Sequence, residues 1–163
     1  MDADAWDERY RADRLLWGAE PNQFVRELCE RLPVGRALDL ACGEGRNALW
    51  LARLGWQVTA IDHSPVAIAR ARALGAREPA AAGGRITWVV ADVTSTLPRP
   101  SSVDLTVISY LHLAPAQRDT VVRSGARAVR LAVTSSSSAT TGATCSKAWE
   151  VRKMPPCSTI RPS

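Results

Sequence analysis

The stretch Ala37-Leu38-Asp39-Leu40-Ala41-Cys42-Gly43-Glu44-Gly45-Arg46-Asn47 constrains the fold more than any other part of this chain. An apolar strand runs into an acid, then into small residues, then into a helical pattern. Glycines at the end of a parallel strand let the backbone turn sharply. They also let a ligand approach the amides that open the next helix. Gly43 and Gly45 carry no β-carbon to obstruct that approach, and Ala41, where a first glycine would stand, leaves slightly less room.

Around this stretch the pattern predicts helices over 3–16 and 22–31. Strand and helix then alternate: strands 36–40, 57–61, 86–90 and 103–109, with helices 46–54, 64–74 and 115–130. Gly55 is placed to cap one helix in the left-handed conformation, and Ser64-Pro65 opens the next with a hydroxyl cap followed by proline. The Ala/Gly/Pro-rich segment 76–84 reads as a loop. Alternation with short connections implies an α/β fold, a doubly wound parallel sheet whose apolar strands are covered on both faces.

Three acids stand at the carboxyl ends of successive strands: Asp39, Asp62 and Asp92. Ligands in such sheets bind along that rim. The run Gly43-Glu44-Gly45-Arg46-Asn47-Ala48 fits a G-x-G-x-x-A nicotinamide fingerprint, with Asp62 on the ribose, and that oxidoreductase reading stays open. Asp39 weighs against it, because a carboxylate beside the loop repels a pyrophosphate and attracts an ammonium or sulfonium. Each acid also has a plain reading as a helix-capping or turn carboxylate.

Composition excludes several other classes. No apolar run approaches the roughly 20 residues of a membrane span, and the acidic start Met1-Asp2-Ala3-Asp4-Ala5-Trp6-Asp7-Glu8 is no signal peptide, so a cytoplasmic location is expected. The net charge of +5 comes largely from residues 131–163, where Lys147, Arg152, Lys153 and Arg161 face Glu150 alone. No basic stripe with interleaved aromatics argues for nucleic acid. Cys29, Cys42, Cys145 and Cys157 form no C-x-x-C pair and do not cluster with His63 and His112. Small buried thiols are expected rather than a metal site or disulfides.

These residues together resemble the class I S-adenosylmethionine-dependent methyltransferases, and more closely their tellurite-resistance and thiopurine methyltransferase branch. The resemblance runs through Trp6-Asp7-Glu8-Arg9-Tyr10, Trp17 with Pro21-Asn22, Asp39 to Asn47 and Val58-Thr59-Ala60-Ile61-Asp62-His63-Ser64. It continues through Asp92-Val93 and Asp104-Leu105-Thr106-Val107-Ile108-Ser109-Tyr110-Leu111-His112. It implies a Rossmann-like domain over 1–130, with N-terminal helices 3–31 and core 36–130, that binds S-adenosyl-L-methionine and methylates a small molecule. By position, Asp39, Ala41 and the Gly43 and Gly45 backbone would hold the methionine part, with Arg46 beside it. Asp62 would take the ribose, His63 would flank the adenine, and Asp92 and Val93 would read the base. Ser109 would lie near the methionine part, with Tyr10 and Trp17 as a lid. The family strand order 3-2-1-4-5-7-6 would leave the fourth strand of this chain as an edge, with Val103, Leu105, Val107 and Ile108 half-covered.

After Arg130 the pattern changes. Leu131-Ala132-Val133-Thr134-Ser135-Ser136-Ser137-Ser138 and the residues beyond are polar, low in complexity and without periodicity, so a disordered tail over 131–163 is expected. Reading its codons one base earlier permits Pro-Gly-Gly and then a run of Phe, Leu, Ile or Val, which resembles the family's turn and fifth strand. A single-base frameshift near Arg130 is the expectation. A truncated fold and impaired methyl transfer would result, and a non-catalytic, degenerate cofactor-binding protein is the other alternative.

Overall fold

The computed structural model describes residues 3–11, 15–16 and 18–130. Trp17, residues 12–14 of the expected first helix and the expected tail with Cys145 and Cys157 lie outside the described residues. Helices α1 (Ala3–Tyr10) and α2 (Gln23–Cys29) precede strand β1 (Arg36–Leu40), helix α3 (Arg46–Arg53) and strand β2 (Gln57–Asp62). Next come helix α4 (Pro65–Gly75), the single turn α5 (Ala80–Gly83), strands β3 (Ile86–Val90) and β4 (Leu105–Ile108) and helix α6 (Pro115–Ala128). The sheet is parallel, in the order β3-β2-β1-β4. That is the four-strand portion of the order expected from the resemblance.

β1 is an inner strand of the sheet. It pairs with β2 on one side (Asp39 opposite Ala60) and with β4 on the other (Asp39 opposite Val107). Alternation along the strand sends Ala37 and Asp39 to one face and Leu38 and Leu40 to the other. On the first face Ala37, Val58, Ala60 and Val107 pack against Ala48, Leu51 and Ala52 of α3 and Cys29 of α2. On the second, Leu38, Leu40 and Ile61 pack against Val121 and Ala128 of α6. Burying both faces is what holds the carboxyl ends of the strands in one row.

Local chemistry sets the element ends. Ser64 Oγ accepts from the Ala67 amide at 3.0 Å and caps α4, with Pro65 in the first turn. Asn22 Oδ1 accepts from the Phe24 and Val25 amides and caps α2. Gly55 closes the α3 turn at φ +103°.

Four expectations need correction. α1 ends at Tyr10, and Leu16 is outside any helix because its amide donates to Glu44 Oε2 at 2.8 Å instead of to a helical carbonyl. The segment expected as a loop over 76–84 contains the α5 turn, which buries Ala82. β4 is shorter than expected, and Val103 makes only an isolated parallel bridge to Val129, which is extended (ψ 132°) and ends α6 at Ala128. Covering of both faces holds for β1 but not for β3, whose residues are half-buried or exposed.

The isolated Val103–Val129 bridge lies on the side of the chain away from β1: Asp104 donates to the Arg36 carbonyl of β1, whereas Arg130 donates to the Val103 carbonyl. Beyond it, Leu105 and Ile108 are half-buried, while Val107 is buried because α2 and α3 cover its face. Phe24 and Leu28 of α2 are exposed at 52% and 61%.

These placements separate two kinds of leucine and isoleucine. Ile68→Ala, at a fully buried site in α4, is expected to cost about 2–5 kcal/mol in a denaturant titration. Leu28→Ala is expected to stay within about 0.5 kcal/mol of the parent.

Candidate functional site

The carboxyl ends of β1, β2, β3 and β4 open into one cavity. The residues expected to contact a cofactor that line it are Tyr10, Ala41, Gly43, Arg46, Asp62, His63, Asp92, Val93 and Ser109. Asp39 and Gly45 do not line it, and Trp17 lies outside the described residues. The cavity also takes Trp6, Glu44, Asn47, Tyr110, Leu111, His112 and Leu113, to which sequence reasoning gave no cofactor role. The signal for several was present in the Trp6–Tyr10 motif and in the residues directly after Arg46 and Ser109.

Asp39 lies beneath the loop, 1% exposed, and neither of its carboxylate oxygens has a hydrogen-bond partner among the described residues. Burial, then repulsion from Asp62, pushes its pKa up from 3.8 to about 7. The Ala48 amide in the first turn of α3 and the Arg46 charge pull in the opposite direction and lose. The Ala48 amide is near enough to favour the anion without completing a hydrogen bond. The Cys42 thiol is also pushed well up, by burial and then by Asp39 and Asp62, and is held neutral. Cys42 and Cys29 are buried, as expected for small core thiols, and neither is in a disulfide among the described residues.

Asp62 is held by backbone. Its Oδ2 accepts from the Gly43 amide at 2.8 Å and its Oδ1 from the Ser64 amide at 2.9 Å. The plain reading of Asp62 as a turn-stabilising acid is therefore correct as far as it goes. A carboxylate has about four lone-pair positions, so two remain to meet a diol. His63 Nδ1 stands 3.8 Å from Asp62 Oδ1. Asp92 accepts from the Thr94 amide and hydroxyl, both at 2.8 Å, and these two bonds hold its pKa below the ordinary value.

The two glycines act differently from the expectation that both clear space for a ligand. A β-carbon on Gly43 would stand 2.8 Å from the Tyr10 hydroxyl, so that glycine admits the α1 side chain to the loop. A β-carbon on Gly45, at φ +80°, would stand 2.6 Å from Trp88 Cζ3 and 3.2 Å from the Ala71 β-carbon. Gly45 is required by packing of α3 against β3 and α4. Ala41 and Tyr110 both adopt positive φ, 58° and 57°, at the ends of β1 and β4. Such strain in non-glycine residues gathers at functional rims.

N-terminal residues close over this rim through polar contacts. Ser64 Oγ donates to buried Asp7 in a short hydrogen bond, and Arg70 donates to the Tyr10 carbonyl in another. The Arg70 guanidinium lies 3.1 Å from Glu44 Oε1, an ion pair without full hydrogen-bond alignment. The Asn22 amide donates to Asn47 Oδ1 at 2.8 Å. Trp6 stacks on Tyr10 at 5.7 Å and meets the His112 ring at 5.6 Å.

The backbone strain yields a paired prediction. Ala41→Gly relieves a left-handed alanine and is expected to stabilise the fold by about 1 kcal/mol. Gly45→Ala places a methyl against Trp88 at a left-handed position and is expected to cost about 3 kcal/mol or more. Chemical denaturation of the two variants checks both signs.

The family described as "Methyltransferase domain" matches residues 37–131, more than half of the chain. Over 54 residues the chain is 44% identical to hemagglutinin 1 of Eikenella corrodens, covering 33% of this chain and 18% of that protein. Over 34 residues it is 53% identical to the probable S-adenosyl-L-methionine-dependent methyltransferase TehB of Haemophilus influenzae, covering 21% of this chain and 12% of that protein. Among solved structures it is similar to one from work on the conversion of a disulfide bond into a thioacetal group during echinomycin biosynthesis, with TM-score 0.63, 29% identity and coverage of 78% of this chain and 56% of that one. It is also similar to the glycopeptide N-methyltransferase MtfA complexed with S-adenosyl-L-methionine, with TM-score 0.60, 28% identity and coverage of 78% and 55%. The chain thus spans less than a fifth of the curated relatives it matches and little over half of these solved structures. With a parallel sheet in the matching order and a family match over most of its core, the chain belongs to the methyltransferase domain family.

Proposed function

We propose that this chain binds S-adenosyl-L-methionine and takes part in methyl transfer to a small-molecule acceptor, a soft sulfur, selenium or tellurium nucleophile of the kind the tellurite-resistance and thiopurine branch would use. The observation that carries the cofactor reading is the buried Asp39 carboxyl, which has no hydrogen-bond partner among the described residues. A cationic ligand above it would favour the ionised form that burial disfavours. MtfA, a similar protein, is known in complexes with S-adenosyl-L-methionine and with S-adenosyl-L-homocysteine.

The bound cofactor would supply an activated methyl group. Asp62, fixed by the Gly43 and Ser64 amides, would accept the ribose hydroxyls. Asp92, Val93 and His63 would border the base. Ala41, Gly43, Gly45, Arg46 and Ser109 would frame the methionine part, and Tyr10 and Trp17 would cover it. Gly45 would act through the loop conformation it permits, since its open side is filled by Trp88. Holding the acceptor in line accounts for most of the chemistry, so no strong general base is required for a soft anionic nucleophile.

The nicotinamide reading is less well supported. A dinucleotide would set its diphosphate beside Asp39 and Asp62, and the second glycine of the fingerprint offers it no opening. No described helix is long and apolar enough to cross a membrane.

We further propose that residues 131–163 are an out-of-frame reading of the family's fifth-strand region. The family match stops at residue 131, close to where the Ser/Thr-rich composition begins, and Val129 makes an isolated parallel bridge to Val103, just before β4. An open β4 edge would leave a marginal fold with weak turnover. An early stop codon in the shifted frame of the gene would refute this.

Thermal unfolding with ligands tests the cofactor reading. S-adenosyl-L-homocysteine at a hundred times its Kd is expected to stabilise the fold by about 2.7 kcal/mol, whereas NAD is expected to leave the midpoint unchanged. Stabilisation by NAD alone would favour the oxidoreductase. Cofactor binding with no transfer of a radiolabelled methyl group to any member of a thiol panel would favour the non-catalytic relative.

A further inference from the structure

A second recess lies at the opposite edge of the sheet from the cofactor cavity, at the amino ends of β1, β2 and β3. It is a groove of about 430 Å³. Its polar lining is Arg36, Gln57, Thr59, Arg85, Thr87 and Ser102, and no described aspartate or glutamate lines it. Strand register explains the grouping. Arg36 of β1 stands opposite Gln57 of β2, and the Arg85 carbonyl accepts from the Val58 amide. Arg36, Gln57 and Arg85 therefore form one row across three strands. Thr59 and Thr87 pair in the row two residues along, on the same face of the sheet. That face is packed by α6 at Leu38 and Leu40. The connection 91–104 from β3 to β4 contains no helix, and the amino ends of β2 and β3 present threonines on that face.

A polar sheet face needs only water, but the charge in this groove is one-sided. Arg85 donates to the Gly55 carbonyl at 3.2 Å, which holds its guanidinium, and it has no carboxylate partner among the described residues. The Arg36 side chain has neither a hydrogen bond nor an ion pair among them. Asp104 continues the row on the β4 side. Its carboxylate accepts from the Arg36 amide at 2.8 Å and pairs with Arg130 at 2.9 Å, and it does not line the groove. Neighbouring strands lie about 4.8 Å apart, so the Arg36 and Arg85 backbones are separated by about 10 Å. Two arginine side chains can close that span from both sides, over Gln57. Like charges brought together in this way repel unless an anion lies between them.

We propose that this groove binds a small phosphate monoester, with Arg36 and Arg85 clamping the phosphate and Gln57, Thr59 and Thr87 donating to its oxygens. A phosphate monoester carries close to two negative charges at neutral pH, which matches two guanidiniums. Arginine offers its donors in a planar fork suited to phosphate oxygens. The volume is in the range of small-molecule sites, which favours an ester over the free ion. The length of β1, about 16 Å, separates this groove from the cofactor cavity, so the inference stands apart from the cofactor reading.

Isothermal titration calorimetry of the whole chain, in phosphate-free buffer without cofactor, tests it with glycerol 3-phosphate as the probe and inorganic phosphate as the comparison. The parent is expected to bind glycerol 3-phosphate, and inorganic phosphate more weakly. Arg36→Gln and Arg85→Gln are each expected to weaken binding by at least about tenfold. Arg36→Gln removes a side chain without a bond among the described residues, so its unfolding midpoint is expected to match the parent and loss of fold would not account for the weakening. Arg123→Gln, which removes the same charge from an exposed position on α6 outside the groove, is expected to stay within about twofold of the parent. No binding by the parent, unchanged binding in Arg36→Gln, or an equal loss in Arg123→Gln would overturn the inference. Loss of binding in Arg46→Gln alone would place the anion in the carboxyl-end cavity and overturn it as well. Inorganic phosphate binding as tightly as the ester would overturn the assignment to an ester.

Discussion

A carboxyl group buried with no hydrogen-bond partner among the described residues is the constraint around which the described fold is arranged. Asp39 is in the middle of the central strand, between Ala60 and Val107, under the first turn of α3. Its pKa of about 7 against 3.8 means that its ionisation opposes folding. The associated stability is present in full below about pH 4 and is lost as the pH rises toward 7, by roughly 4 kcal/mol in total. Glu78, Asp92 and Asp104 have lowered pKa values and act in the opposite sense, losing stability as they protonate in acid. An apolar residue at position 39 would serve the core better. That an acid stands there is understandable if a cationic ligand is to be held above it.

The rim is closed by polar contacts rather than by a second core. Asp7 to Ser64, Arg70 to Tyr10, Asn22 to Asn47 and Leu16 to Glu44 each tie an N-terminal residue to the loop after β1, to α3 or to α4 and its cap, and Arg70 to Glu44 ties α4 to that loop. Each is a local bond that can be broken without unpacking the sheet. This suits a cover that must admit a ligand. The same bonds explain why Asn47 and Glu44 are buried although both are polar.

Much of the architecture was legible in the sequence because its signals are short-range. The apolar strands, the Ser64-Pro65 start and the Gly55 stop depend on neighbours a few residues away. The acids at three strand ends were legible for the same reason. The illegible part depends on tertiary contact. Nothing local says that Gly45 clears space for Trp88, forty-three positions on. Nothing local says that Leu16 would leave a helical pattern to bond Glu44, or that Asp39 would lie below the cavity instead of in its wall. The half-buried state of Leu105 and Ile108 is set by which strands flank β4, a property of topology and not of those residues.

Electrostatics at Asp39 link the fold to the proposed activity, and calorimetric binding of S-adenosyl-L-methionine to the parent and to Asp39→Asn is the most direct measurement of that link. In the parent, affinity is expected to rise between about pH 6 and 8 as the carboxyl becomes ionised. Asp39→Asn is expected to bind at least tenfold more weakly, with no such rise, while being more stable at alkaline pH by on the order of 2 kcal/mol. Equal affinity in the two proteins, with the same pH dependence, would contradict the claim that this buried acid selects a cationic sulfur donor.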